Sequence, residues 1–183
     1  MNRKRRLARL TMLIAIWVLL VSREQFVISQ TAVMAQDSTA EQRARIVEIM
    51  QRTLKAGEGR IVGDGQVINT YTRRGPTEAD LEEIRRYGED AVPILTEYLA
   101  STNAAEYELA MEFLGALGGS SIVPPLKNVI FHDQSSRKRE YAIRTITQAP
   151  PAEASPILRF AAVRDADSGV REVAKEMLKA MRL

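Results

Sequence analysis

Ala91-Val92-Pro93-Ile94-Leu95 decides the fold, because the chain says it again as Ile122-Val123-Pro124-Pro125-Leu126 and as Ala154-Ser155-Pro156-Ile157-Leu158. The three prolines stand 31 and then 32 residues apart. A fixed period of that size marks stacked units, none of which can bury its apolar face alone. The residues between the prolines predict helix after helix. Thr77 caps a segment with acids at 78, 80, 82 and 83, where the helix dipole favours them, and Gly88 stops it after Tyr87. Ala91–Ala100 follows, with its proline in the first turn, where little amide bonding is lost. Ala104–Leu117 stops at Gly118-Gly119, and then come Ile122–Phe131, Ser136–Gln148, Ala154–Val163 and Ser168–Met181. Connectors of three to five residues make neighbouring helices antiparallel. Each segment is too short to be stable by itself, so burial against its neighbours must hold it.

Upstream of the repeats the pattern loosens. Ser38 to Lys55 reads as one helix, with Ser38 and Glu41 at capping-box spacing and Ile46, Ile49, Met50 and Leu54 along one side. It should stop at Gly57. From Gly57 to Pro76 glycines punctuate the β-type residues Ile61-Val62 and Gln66-Val67-Ile68, which predicts a small hairpin or an ordered loop. Gly57, Gly59 and Gly63 come near a dinucleotide-binding fingerprint, but the third glycine is one place late and no strand precedes it. The stretch reads as a connector, with a contact loop as the alternative.

The N-terminus reads as an address. Asn2 to Arg9 is basic, Leu10 to Val21 is an apolar run of twelve, and Val33 and Ala35 are small residues spaced as a signal peptidase requires. This three-part pattern predicts a secretory signal peptide over residues 1–35, cleaved after Ala35. Twelve apolar residues make a helix of about 18 Å, short of the roughly 30 Å hydrocarbon core. The alternative is an uncleaved membrane anchor. Arg5-Arg6-Leu7 resembles a twin-arginine signal without its fuller pattern, so the general secretory route is preferred. Either route puts the domain outside the cytoplasm, periplasmic or secreted. Residues 36–76 then form an N-terminal helix and glycine-rich loop, and 77–183 the repeat domain.

Charge follows the same division. The whole chain carries 26 Lys/Arg and 23 Asp/Glu, a formal net of +3 and a pI near 9.3. Six of the cations and one acid lie in residues 1–35, which leaves 20 basic and 22 acidic residues for the remainder, a net of −2. A mildly acidic domain without a basic stripe is a poor binder of phosphate backbones, so no nucleic-acid partner is expected. With no cysteine there is no disulfide, thiol catalysis or zinc-thiolate site. That composition also suits an oxidising compartment, where a chain without thiols cannot mispair.

Catalytic constellations are missing. His132, the one histidine, precedes Asp133 in a turn, with no second base, nucleophile or metal ligand nearby in sequence. Asp165-Ala166-Asp167-Ser168-Gly169 has the alternating acids of a calcium loop, but Val170 takes the place where that loop needs glycine. Asp165 as turn former with Asp167 or Ser168 as helix cap is the preferred reading. No carboxylate pair is set in an apolar surrounding that would suit acid–base work. The expectation is no enzyme, no cofactor, no metal and no small-molecule substrate.

The repeat unit resembles a HEAT repeat of the short type found in bacterial HEAT-like proteins. In that family a first helix carries a proline, the following turn an Asp, and the second helix Val-Arg near its start. Pro93, Pro124 and Pro156 match the first feature, Asp133 and Asp165 the second, and Arg139 and Arg171 the third, with Val170-Arg171 the best fit. The first repeat departs from the pattern: Thr102 stands at the Asp place and Tyr107 or Glu108 at the Arg place, so an Asp–Arg ladder should break at that junction. The second helices share a small column, Ala110, Ala142 and Ala174, and an apolar one, Ile84, Leu114, Ile146 and Leu178. The resemblance implies an all-α fold: a short right-handed superhelical solenoid of about three repeats, HEAT- or armadillo-like, behind an N-terminal capping helix pair. One branch of the family is similar to phycobilin lyases, but no bilin-handling residues can be carried onto this chain.

In such stacks the second helices line the concave side. Positions around the alanine column then predict exposed stripes at Glu108-Glu112-Gly115, Glu140-Arg144-Thr147 and Glu172-Glu176-Lys179. With Asp80 placed in the column, Glu78-Glu82-Arg85 joins them. The stripes read either as an ordinary solvated face or as an acidic groove for a basic segment of another protein. Protein binding by an exported scaffold is the function expected; an accessory module of a membrane-attached assembly, held by a retained N-terminal helix, is the alternative.

Overall fold

The computed structural model describes residues 39–56, 61–63, 66–68 and 75–181. The chain divides into two compact units, residues 1–42 and 43–183, and the hydrophobic core lies within the second. The leader or anchor expected over 1–35, its cleavage after Ala35, the Ser38 cap and the Gly57 stop fall outside the described residues. Among the described residues no helix is long and apolar enough to cross a membrane.

Helix α1, residues 39–56, turns Ile46, Ile49 and Met50 into the core and leaves Arg43, Arg45, Glu48 and Arg52 exposed, as their spacing requires. The glycine-rich stretch contains a hairpin, β1 (Ile61–Gly63) antiparallel to β2 (Gln66–Ile68), with Ile61 opposite Ile68. Every other regular element among the described residues is helical. The helices are α2 (Glu78–Tyr87), α3 (Ala91–Leu99), α4 (Ala104–Leu117), α5 (Val123–His132), α6 (Ser136–Thr145), α7 (Pro151–Arg164) and α8 (Ser168–Ala180), with single 3-10 turns at Gly88–Asp90, Ser120–Ile122 and Ile146–Gln148.

Local chemistry sets the boundaries. Thr77 caps α2 in a reciprocal capping box with Asp80. Asn103, Ser135 and Asp167 cap α4, α6 and α8 by accepting backbone N–H groups. Gly88 ends α2 at φ 54°, and Gly118 ends α4 at φ 63°, a region that costs other residues strain. A Cβ on Gly118 would also lie 3.1 Å from the Gln148 carbonyl oxygen.

One boundary expectation needs correcting. Pro93 and Pro124 do lie in the first turns of α3 and α5, but Pro156 lies inside α7. That helix begins one turn earlier, at Pro151, which is suited to a first helical position because no partner for its amide is needed there. The turn Pro151–Ala154 takes the place that a 3-10 turn fills before α3 and α5. All three repeat prolines are exposed.

Packing follows a regular order. Helix α3 packs on α4, α5 on α6 and α7 on α8; α2, α4, α6 and α8 are successive neighbours, and α5 touches α7. Between these two rows runs one continuous core that includes Leu95, Phe113, Leu126, Ile143, Leu158 and Val170. Ala110, Ala142 and Ala174, the small column of the second row, are fully buried. Ile84, Leu114 and Ile146 are equally buried, whereas Leu178 on the last helix is only half covered.

Candidate functional site

The stripe predicted on the second row resolves into columns with different roles. Glu108, expected to be exposed, is 6% exposed, and its Oε1 accepts a hydrogen bond from Arg137 Nη2 at 2.8 Å. Arg137 is the second residue of α6. Glu140, one repeat later, is half-buried, with Oε1 3.1 Å from where a Cβ on Gly169 would sit, and Gly169 is the second residue of α8. This column therefore lies at the joints, each carboxylate beside the N-terminus of the next helix, where the dipole favours negative charge. In the capping pair Glu78 is exposed and takes Arg85 Nη1 at 2.8 Å. Glu172, on the last helix, stays 72% exposed and is paired with Lys175 at 2.6 Å.

The next column is the exposed one. Glu82, Arg144 and Glu176 are exposed and Glu112 is half-buried against Gly75. In the column beyond it, Arg85 and Lys179 are exposed while Gly115 and Thr147 are partly covered. Arg85 also lies 3.7 Å from Glu82 and donates to the Ala116 carbonyl, so it ties α2 to α4. The helices differ in sign. By residue count α2 and α4 together hold seven carboxylates and two arginines, while α6 and α8 hold seven cations and three carboxylates. The acidic character is concentrated at the α2–α4 end.

Asp80 does not behave as a member of the alanine column. It is 7% exposed, accepts the Thr77 N–H and O–H, and takes Arg52 Nη2 from α1 at 2.5 Å. Burial pushes its carboxyl up, but the hydrogen bonds from Thr77 and Arg52 outweigh that and hold it below the usual carboxylate value. Arg52 also reaches Glu83, and Arg43 pairs with Glu97, so α1 is bound to both α2 and α3.

The Asp and Arg of the repeat build a clamp. Arg139 on α6 gives Nε and Nη2 to the two oxygens of Asp165, at 2.9 and 2.8 Å, and Nη1 to the carbonyls of Asp133 and Gln134. Asp165 Oδ1 also accepts the Asp167 N–H. The pair is well covered, with side-chain exposures of 12% and 6%. Burial raises the Asp165 carboxyl, but Arg139 and the Asp167 amide hold it below its ordinary value. Arg171 repeats the carbonyl contacts, donating to Asp165 and Ala166. Asp165 is thus a turn former gripped from the preceding repeat, and Asp167 is the cap. Among the described residues no group of His, Asp and Glu could hold a metal ion.

At the earlier junction Tyr107 stands where a clamp arginine would. The link there comes from the other side: Lys138 Nζ donates to the carbonyls of Leu99 and Ser101, at 2.9 and 2.8 Å, and lies 4.9 Å from the Tyr107 ring centroid. Sequence reasoning missed this lysine. Its signal was an aromatic at the arginine place followed one repeat later by Lys138 beside Arg139.

A second surface was also missed. Phe131 at the end of α5 and Phe160 on α7 meet at 4.9 Å between ring centroids, and His132 meets Phe131 edge-on at 6.4 Å. These three residues line a cleft of about 290 Å³ whose floor is the Arg139–Asp165 pair. A neighbouring cleft of about 230 Å³ lies between the ends of α3 and α5 and shares His132 and Asp133. His132 is exposed at both. Compared with known families, curated proteins and solved structures, the chain matches none of them.

Proposed function

We propose that this chain is a non-catalytic protein-binding scaffold: a short superhelical solenoid of three HEAT-like repeats, α3/α4, α5/α6 and α7/α8, capped by α1 and α2. The observation that carries this reading is the unbroken neighbour order of α2, α4, α6 and α8, which sets Glu82, Glu112, Arg144 and Glu176 at equivalent turns of adjacent helices. Rigid arrays of this kind act by surface complementarity rather than by a pocket. The client proposed is a basic segment of another exported or envelope protein, met first by the acidic α2–α4 end. A leader-like N-terminus with an apolar run from Leu10 to Val21 supports a location outside the cytoplasm.

The test is charge reversal on the full chain. Glu82→Lys with Glu176→Lys should weaken retention of a lysine-rich peptide by about tenfold, and raised salt should do the same to the native protein. Glu108 and Glu140 are to be left alone, because reversal there would strike the joints. Retention that ignores both the substitutions and the salt removes the acidic-face reading.

A further inference from the structure

We infer that the C-terminal ends of α5 and α7 form a second docking surface, for an acidic protein segment carrying one large apolar anchor side chain. The starting observation is a pair of misplaced hydrophobes. Helix α7 turns Ile157, Leu158, Ala161 and Ala162 into the core, yet Phe160 is 54% and Val163 71% exposed. Covering side chains of this kind removes apolar surface from water and favours association. Phe131 lies beside Phe160, so the aromatic surface continues from α7 onto α5. The cleft next to them, about 290 Å³, falls just short of the roughly 300–1,000 Å³ of small-molecule sites. It has room for a protein side chain.

Charge selects the partner. The floor of the cleft is neutral, since Arg139 and Asp165 satisfy each other. The carbonyls of the turns that follow α5 and α7, at Asp133, Gln134, Asp165 and Ala166, are already met by Arg139 and Arg171. Asp133, also in the cleft, accepts the Ser135 N–H and lies 3.8 Å from Lys138 Nζ. What remains is positive: exposed Arg164 lines the cleft, exposed Lys127 has its Nζ 5.9 Å from the centre of the Phe131 ring, and Arg159 is exposed next to Phe160 in sequence. The one carboxylate on α5 and α7, Glu153, is at the opposite end of α7, where it accepts from Ser120. Aromatic side chains with arginines around them are the composition of interface hot spots. The recess favours a protruding side chain over a flat bilayer surface. This surface, on the first row of helices, is independent of the acidic α2–α4 end of the second row.

The experiment uses the full chain and a fluorescent synthetic peptide with one phenylalanine flanked by glutamates, followed by anisotropy. Saturable binding is expected, weakened about tenfold by Phe160→Ala and similarly by Arg164→Glu, and weakened by salt. Peptides with the phenylalanine replaced by alanine, or the glutamates by lysines, should lose most of the affinity. Glu82→Lys should leave it unchanged, which separates this surface from the acidic face. Phe160 and Arg164 are exposed, so thermal melts of the variants should match the native chain. No saturable binding, or binding indifferent to Phe160→Ala, overturns the proposal. So does a surface that ignores the peptide but takes up anionic phospholipid vesicles or a second copy of the chain through Phe160.

Discussion

The two junctions between successive helix pairs do the same task with opposite chemistry. Between α5/α6 and α7/α8, Arg139 reaches forward and holds both oxygens of Asp165. Between α3/α4 and α5/α6, Tyr107 replaces the arginine, and Lys138 reaches backward to the carbonyls of Leu99 and Ser101. A planar guanidinium matches a carboxylate in two places and fixes an angle; an ammonium is a point charge that can swivel. The later joint is therefore set in register by geometry, while the earlier one relies on Lys138, the Arg137–Glu108 pair and apolar packing. A repeat can lose its signature residues and keep its stacking, provided another donor reaches the turn carbonyls of the neighbour.

The strongest way to break this contrast is Arg139→Ala, which strands a carboxylate that is 6% exposed. Loss of one partner from a buried pair costs about 3–5 kcal/mol, visible as a lower denaturant midpoint, and Arg139→Lys should recover only part of it. The acid dependence follows from the same pair. Because the folded-state value of Asp165 is depressed, its stabilisation is complete above the unfolded value of about 3.9 and is lost as pH falls through the lower folded value. The stability gap between the native chain and Asp165→Asn should thus narrow on acidification through that range.

Lys138→Met should cost less, about 1–2 kcal/mol, because it leaves neutral carbonyls rather than a buried carboxylate without their donor. Gly118→Ala combines a strained φ with a close approach to Gln148 and should cost about 1–3 kcal/mol, with faster local amide exchange around the 118–120 turn. Arg137→Ala should fall in the same range: its own side chain is 69% exposed, but the Glu108 carboxylate it leaves is only 7% exposed, so about 1–3 kcal/mol is expected in a denaturation curve.

Much of the helical arrangement could be read in advance, because its causes are local. The proline period, Thr77 and Asp167 as caps, Gly88 and Gly118 as stops, and the buried alanine column all act within a turn of themselves. Pro156 was misplaced because Pro150-Pro151 starts α7 one turn upstream of the repeated motif. Asp80 was assigned by column when its spacing from Thr77 already spelled a capping box. The exposed stripe was partly legible. Helical spacing says which residues share a side, but not that the first of them meets the N-terminus of the next helix, as Glu108 does with Arg137. Phe160 and Val163 are apolar, and it is the spacing of buried 157, 158, 161 and 162 that leaves them outside.

The claim that the second row of helices is the recognition surface can be tested by photocrosslinking. A photoreactive residue would be placed at Glu82, at Glu176 or at exposed Pro93 in the full chain, and each version exposed to a lysine-rich peptide or its envelope source. The account predicts adducts from positions 82 and 176, joined through a basic segment of the partner, and none from position 93. Adducts from position 93 with none from 82 and 176 would contradict it.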